Sequence, residues 1–242
     1  MKKAIYTIYS FTCFLGLALY LTLEGFWLIT IKGKTEKNKL EFHRRMQKMA
    51  WFVINRVPGT SFEYDNSVGE KFDKPSVIIS NHQSHLDLMA IIMLTPKIVV
   101  LTKKWVWHNP FYGMIIRYAD YMPVDDNPNL ISQIEERLAN GYSIMIFPEG
   151  TRSVDCRIGR FHRGAFKIAE EHGLDIVPIF ISGFGKVLPK TSFHLHPGKM
   201  RLEVLPRFHS NDAEWKKGSY RSVTKTLHLA YLRKNEEVHN NR

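Results

Sequence analysis

Four short apolar runs constrain this chain more than any other feature. They are "SVIIS" (76–80), "IVVLT" (98–102), "SIMIF" (143–147) and "DIVPIFIS" (175–182). Each is rich in Val and Ile and has the length of a strand buried on both faces. Between them "HLDLMAIIML", "NPFYGMIIRYA", "NLISQIEERLAN" and "FHRGAFKIAEEHG" carry helical spacing, and Asn140-Gly141 and His172-Gly173 supply C-terminal stops for two of these. "KMRLEVLP" (199–206) adds a further candidate strand. Strand and helix in alternation predict an α/β fold with a largely parallel sheet flanked by helices. Chemistry in such sheets gathers at the carboxyl ends of strands. Both polar motifs of the chain begin there: "SNHQSHLD" after "SVII", and "PEGTRS" after "SIMIF".

The first quarter of the chain reads differently. From Ala4 to Leu23 no residue is charged, and after Glu24 the apolar pattern resumes through "GFWLITI". Twenty apolar-biased residues are about the span of a bilayer core. A cleaved signal peptide is the rival, but the stretch is long for one and "EGFWLITIKGK" offers no small-residue cleavage site. The net charge is +11, and residues 1 to 60 hold ten Lys or Arg against three Glu, so most of the excess lies here. Localised positive charge beside an apolar segment favours anionic lipid over nucleic acid as the surface met. In the stretch 36–56, Phe42, Met46, Met49, Ala50 and Val53 share one helical face while Arg44, Arg45 and Lys48 lie elsewhere on the wheel. That pattern predicts an amphipathic helix, read here as lying in the headgroup layer. Basic residues flank the apolar segment on both sides, so a full span and a hairpin in one leaflet both fit. Pro58-Gly59 closes this part. The predicted division is 1–57, membrane-embedded and amphipathic helices, and 58–242, the globular α/β domain. The two cysteines, Cys13 and Cys156, suggest neither a disulfide nor a zinc site, which fits a domain facing the cytoplasm.

Within "SNHQSHLD" two histidines and an aspartate fall in six residues, and three readings compete. His82, His85 and Asp87 would begin a metal site, but the other strand ends offer only Glu149 and Asp175 and no histidine cluster. Ser80 or Asn81 would simply cap the following helix. Alternatively, His82 is a general base and Asp87, five residues on, fixes its ring. The second motif, "FPEGTRS" (147–153), adds a glycine bend after a buried strand, a threonine hydroxyl and an arginine fork suited to phosphate. Its plain structural reading is a polar turn with a Glu149–Arg152 ion pair. The two motifs together favour base and orienter.

With these residues in view the sequence resembles the glycerolipid acyltransferase family, best known for the lysophosphatidic acid acyltransferases. "NHQSHLD" matches its N-H-x4-D motif at Asn81, His82 and Asp87, and "FPEGTRS" matches a second block at every position. "KKWVWHNPFYG" is similar to an intermediate block at Lys104, Pro110 and Gly113, and "IVPIFIS" resembles the last block around Pro178. The resemblance covers roughly residues 75 to 185. It implies a membrane-bound enzyme of phospholipid synthesis that moves an acyl group from acyl-CoA or acyl-ACP to the hydroxyl of a lysophospholipid. It assigns catalysis to His82 and Asp87 and acceptor binding to Glu149, Gly150, Thr151, Arg152 and Lys104. His85 becomes a bystander, with no metal, cofactor or nucleic acid involved.

Two departures from the family pattern bear on the acceptor. "PVDDNP" places Asp126 where the family usually has a phosphate-binding arginine, and "FHRGAF" places His162 at a lysine position. Arg163 and Arg117 are candidates to restore the charge. A non-glycerophosphate acceptor, such as a hydroxylated aminoacyl lipid, is therefore the alternative within acyl transfer. A non-catalytic lipid-binding protein and a metal-dependent hydrolase are the alternatives outside it. Trp105 and Trp107 fit either a core or a membrane interface, and the tail from Lys216 reads as a surface helix with a frayed end.

Overall fold

A computed structural model describes residues 2–212, 215 and 219–240. The elements begin with α1 (Lys2–Gly25), a π-helical stretch (Phe26–Ile31) and α2 (Glu36–Asn55), followed by β1 (Thr60–Asp65), β2 (Val77–Ser80) and α3 (Leu86–Ile92). Next come β3 (Ile98–Thr102), α4 (Lys104–Trp107), α5 (Gly113–Tyr118), β4 (Met122–Pro123), α6 (Leu130–Ala139) and β5 (Ser143–Ile146). The chain continues with α7 (Gly164–Glu171), β6 (Ile176–Ser182), α8 (Phe184–Val187), β7 (Gly198–Val204) and α9 (Tyr220–Asn240). Of the predicted tail, residues 216–218 and 241–242 lie outside the described residues. The chain forms two compact units, Met1–Pro58 with Leu88–Met145, and Gly59–Asp87 with Ile146–Arg242.

In the first unit β3 lies parallel to both β5 and β4, with Val99 opposite Ile144 and Leu101 opposite Met122. Helix α2 packs on α1, and α1 on α5. The buried face of α2 is formed by Lys39, Phe42, His43, Met46, Ala50 and Ile54. Three of the five predicted positions, Phe42, Met46 and Ala50, are fully covered, while Met49 and Val53 sit half-buried at the margin. The face is turned towards Lys39 and His43 because polar partners wait there. Lys39 Nζ is 2.8 Å from Asp120, and Arg137 on α6 grips Glu36 at 3.0 and 2.9 Å. Buried charge is tolerated when paired in this way.

In the second unit β1 runs parallel to β7, β7 antiparallel to β6, and β6 parallel to β2. Strands β2 and β6 are buried at every position, as their Val- and Ile-rich apolar runs require. Helices α7 and α9 pack on each other and on these strands. Tyr231 of α9 is fully buried, and its hydroxyl lies 3.1 and 2.9 Å from the carbonyls of Ile79 and Ile179. The predicted α/β class and mostly parallel sheet are therefore found, as is the N-terminal helical segment. Strand β1 was not expected. "TSFEYD" is half-exposed along its length and carries no buried apolar run to announce it.

Candidate active site

Both polar motifs leave the ends of strands, one after β2 and one after β5. Asn81 is fully buried, and its side-chain amide bonds the backbone of Ile181 twice, at 2.9 Å as donor and 2.8 Å as acceptor. This pair imitates a strand ladder and clamps the start of the first motif to β6. The chain then folds back over Asp87, in the first turn of α3. Asp87 is 0 % exposed. Its Oδ2 accepts from the backbone N–H of Gln83 at 2.6 Å and of Ser84 at 2.8 Å, and meets His82 Nδ1 at 2.8 Å. Burial pushes the Asp87 carboxyl up, and these donors oppose it by favouring the charged form. A carboxylate at Nδ1 places the imidazole proton there, leaving Nε2 as the acceptor. The ring cannot swing away easily, because it stacks on Phe147 with centroids 3.9 Å apart and planes within 15°.

The second motif holds the first. After β5 the chain turns tightly at Phe147–Gly150, closed by Gly150 N–H to the Phe147 carbonyl at 3.0 Å. Gly150 has φ +66°, a left-handed conformation that disfavours side chains. Glu149 points inward and is 7 % exposed. One oxygen accepts from His82 N–H and the other from Gly159 N–H, each at 2.8 Å. Burial pushes its carboxyl up, and the two N–H donors counter that. Ser153 N–H donates to the His82 carbonyl at 2.7 Å. The backbone of His82 is thus pinned on both sides by "FPEGTRS".

Thr151 lies exposed on this turn, followed by the partly covered Arg152. Desolvation and the nearby Arg152 charge hold His85 down at about 4, so it is neutral at ordinary pH. Among the described residues no three His, Cys, Asp or Glu side chains converge to hold an ion. Lys104 belongs to the first unit, at the start of α4. Its Nζ is 3.4 Å from Asp126 and its N–H donates to Asp125 at 3.1 Å. Asp126 therefore faces the very lysine expected to bind phosphate.

Residues 39–182 match the model of the family described as acyltransferase, more than half of the chain. The chain belongs to the acyltransferase family. Among its relatives is the chloroplastic 1-acyl-sn-glycerol-3-phosphate acyltransferase of Arabidopsis thaliana, 32% identical over 181 residues, which are 72% of this chain and 51% of that one. A chloroplastic counterpart from Brassica napus is 34% identical over 186 residues, 74% of this chain and 54% of that one. The chain spans about half the length of these curated relatives. Among solved structures, the 1-acyl-sn-glycerophosphate acyltransferase PlsC of Thermotoga maritima superposes with a TM-score of 0.78 at 22% identity. The match covers 98% of this chain and 96% of that one. It shows that the acyltransferase fold extends over nearly the whole chain, the N-terminal helices included.

Sequence reasoning missed three features of this candidate site. Phe147 stands in the sequence only as part of a block, and Asn81 only as a possible cap and a motif position, with no sign of its bonds to β6. Lys190 was not singled out at all. Its Nζ lies 3.1 Å from the Thr151 hydroxyl and 2.7 Å from the Arg152 carbonyl. Nothing local in "LPKTS" signals this; only the path of the chain brings residue 190 back to the turn.

Proposed function

We propose that the chain is a membrane-bound O-acyltransferase that moves a fatty acyl group from acyl-CoA or acyl-ACP to a lysophospholipid hydroxyl, with 1-acyl-glycerol-3-phosphate as acceptor. One observation carries this reading. A buried carboxylate, Asp87, holds His82 at 2.8 Å, and the second motif fixes the same histidine from behind. Nε2 takes the proton of the acceptor hydroxyl as its oxygen attacks the thioester carbonyl carbon. The tetrahedral adduct then expels the thiolate, breaking the C–S bond, and the proton held by His82 passes to sulfur. The ester forms without a covalent enzyme intermediate, because the thiolate is a good leaving group. Positioning of the hydroxyl and carbonyl supplies most of the rate. Thr151, Arg152 and Lys104 bind the acceptor's phosphate. Glu149 and Gly150 serve it through the shape of the turn.

Membrane attachment is assigned to residues 1–57, and residues 58–242 act as the acyltransferase domain, facing the cytoplasm. Ile5–Ile31 is long and apolar enough to cross a bilayer, with a mean hydropathy of 1.7. Ile8, Phe11, Leu19, Leu23 and Trp27 expose their side chains along it. Unpaired apolar area of this size suits lipid rather than water.

Asp126 beside Lys104 favours a second acceptor class, one without a phosphate monoester. A comparison of acceptors tests the two readings. The protein in detergent micelles, with EDTA present, is given acyl-CoA and either lysophosphatidic acid or a hydroxylated aminoacyl lipid. Preference for lysophosphatidic acid is expected. Preference for the aminoacyl lipid assigns the other acceptor, and loss of activity with EDTA returns the metal reading.

A further inference from the structure

We infer that Lys190 is a specificity-determining residue that binds the anionic phosphate of the acceptor together with Thr151. This inference rests on the function proposed above and names a residue that neither motif contains. Three observations lead to it.

First, Lys190 is placed, not loose. The segment that carries it is tied to the His82 loop twice, by Ser84 Oγ donating to the Leu188 carbonyl at 2.9 Å and by Gly185 N–H donating to Gln83 Oε1 at 3.4 Å. Its ammonium then reaches across to the turn of the second motif, touching Thr151 and Arg152. One side chain therefore joins the loop of the base to the turn expected to hold phosphate.

Second, the donors do not cancel. A lysine ammonium has three N–H donors and no acceptor. Two are used on the Thr151 hydroxyl and the Arg152 carbonyl. The third is left, together with the full positive charge, because among the described residues no carboxylate pairs with Lys190. Lys104 differs in this respect, since Asp126 already meets its charge within the first unit.

Third, Lys190 sets the polarity of Thr151. A hydroxyl that accepts from an ammonium cannot spend its own proton on that partner, so it must donate elsewhere. Thr151 is exposed on the turn. An N–H and an O–H donor then sit side by side, 3.1 Å apart, both suited to an oxygen of one phosphate group.

The test compares wild type with Lys190→Met and Lys190→Arg, using lysophosphatidic acid in micelles and a fixed acyl-CoA. Lys190→Met is expected to raise the acceptor KM about tenfold or more, as loss of a hydrogen bond to a charged group implies. The loss should fall on KM for lysophosphatidic acid, with much less effect on kcat or on the KM for acyl-CoA. Lys190→Arg, which keeps the charge, should recover most of it. An unaltered acceptor KM in Lys190→Met overturns the inference. So does a fall in kcat alone, or a Lys190→Arg variant as poor as Lys190→Met, since either outcome makes Lys190 a brace for the turn. Calorimetric titration of lysophosphatidic acid into the same proteins separates this inference from the reaction itself. If wild type binds the lipid but transfers no acyl group, the proposed function fails, while about tenfold weaker binding by Lys190→Met still supports Lys190 as the phosphate ligand. If Lys190→Met binds as tightly as wild type, Lys190 is not that ligand.

Discussion

Few atoms hold His82 in place: three donors converge on one oxygen of Asp87, and one of them is the His82 ring. Asp87→Asn keeps the shape but offers the ring a neutral partner, so it should lower kcat by about 10²- to 10⁴-fold, the range of a general base mis-set or removed. Steady-state kinetics checks this; a kcat within a few-fold of wild type would remove Asp87 from the mechanism. Glu149, expected to bind the acceptor, has both carboxylate oxygens on backbone N–H groups, those of His82 and Gly159. Glu149→Ala strands the N–H groups of His82 and Gly159, at about 1–3 kcal/mol each if they stay buried. Its expected signature is a lower unfolding free energy together with a lower kcat. Arg152→Ala should mainly raise the acceptor KM, and an unaltered KM would take Arg152 out of acceptor binding.

Helix α2 buries a titratable side chain that links its stability to pH. His43 is buried, its Nε2 is 3.0 Å from the Ala119 carbonyl, and burial holds its imidazole down at about 4. The unfolded chain takes up this proton near the ordinary value of about 6.5. Between those values the unfolded state binds more protons, so stability falls as pH drops from about 6.5 to about 4, by up to about 3 kcal/mol from this one residue. Denaturant unfolding at pH 7 and pH 4.5 measures it, and His43→Phe should flatten that part of the profile. In the second unit, burial disfavours the Glu70 carboxylate, but Arg207 overcomes this and holds its carboxyl below the ordinary range. Arg207 also reaches Asp175 at 3.3 Å. Arg207→Met leaves two partly buried carboxylates without their cation and should cost about 3–5 kcal/mol, the range for one broken partner of a buried pair. A change below 1 kcal/mol would show that solvent replaces the arginine.

For the molecule as a whole, the sequence disclosed what is local and hid what depends on distance along the chain. Strands β2, β3, β5 and β6 were legible because a short apolar run rich in Val and Ile has few other uses. Strand β1 was hidden because its edge position leaves it half-exposed and polar. His82 and Asp87 were legible because five residues separate them and a helix start can bring them together. Lys190 was hidden because 39 residues separate it from Thr151. The inward turn of Glu149 was hidden too, since a carboxylate in a polar motif looks the same whether it faces solvent or backbone. Apolar residues along α1 carry the expectation of a lipid-facing segment, and many of them are exposed. Replacing Ile8 and Leu19 with lysine should release the protein from liposomes in a flotation assay, while continued flotation would place the attachment elsewhere.

Thiol release coupled to lipid product tests whether His82 is the base of an acyl transfer. Wild type and His82→Ala, both shown to be folded by circular dichroism, receive acyl-CoA and lysophosphatidic acid under identical conditions. One thiol released per diacyl product is expected in wild type, and a rate lower by at least about 10²-fold in His82→Ala. Product formed at a near-native rate by folded His82→Ala would contradict His82 as the base.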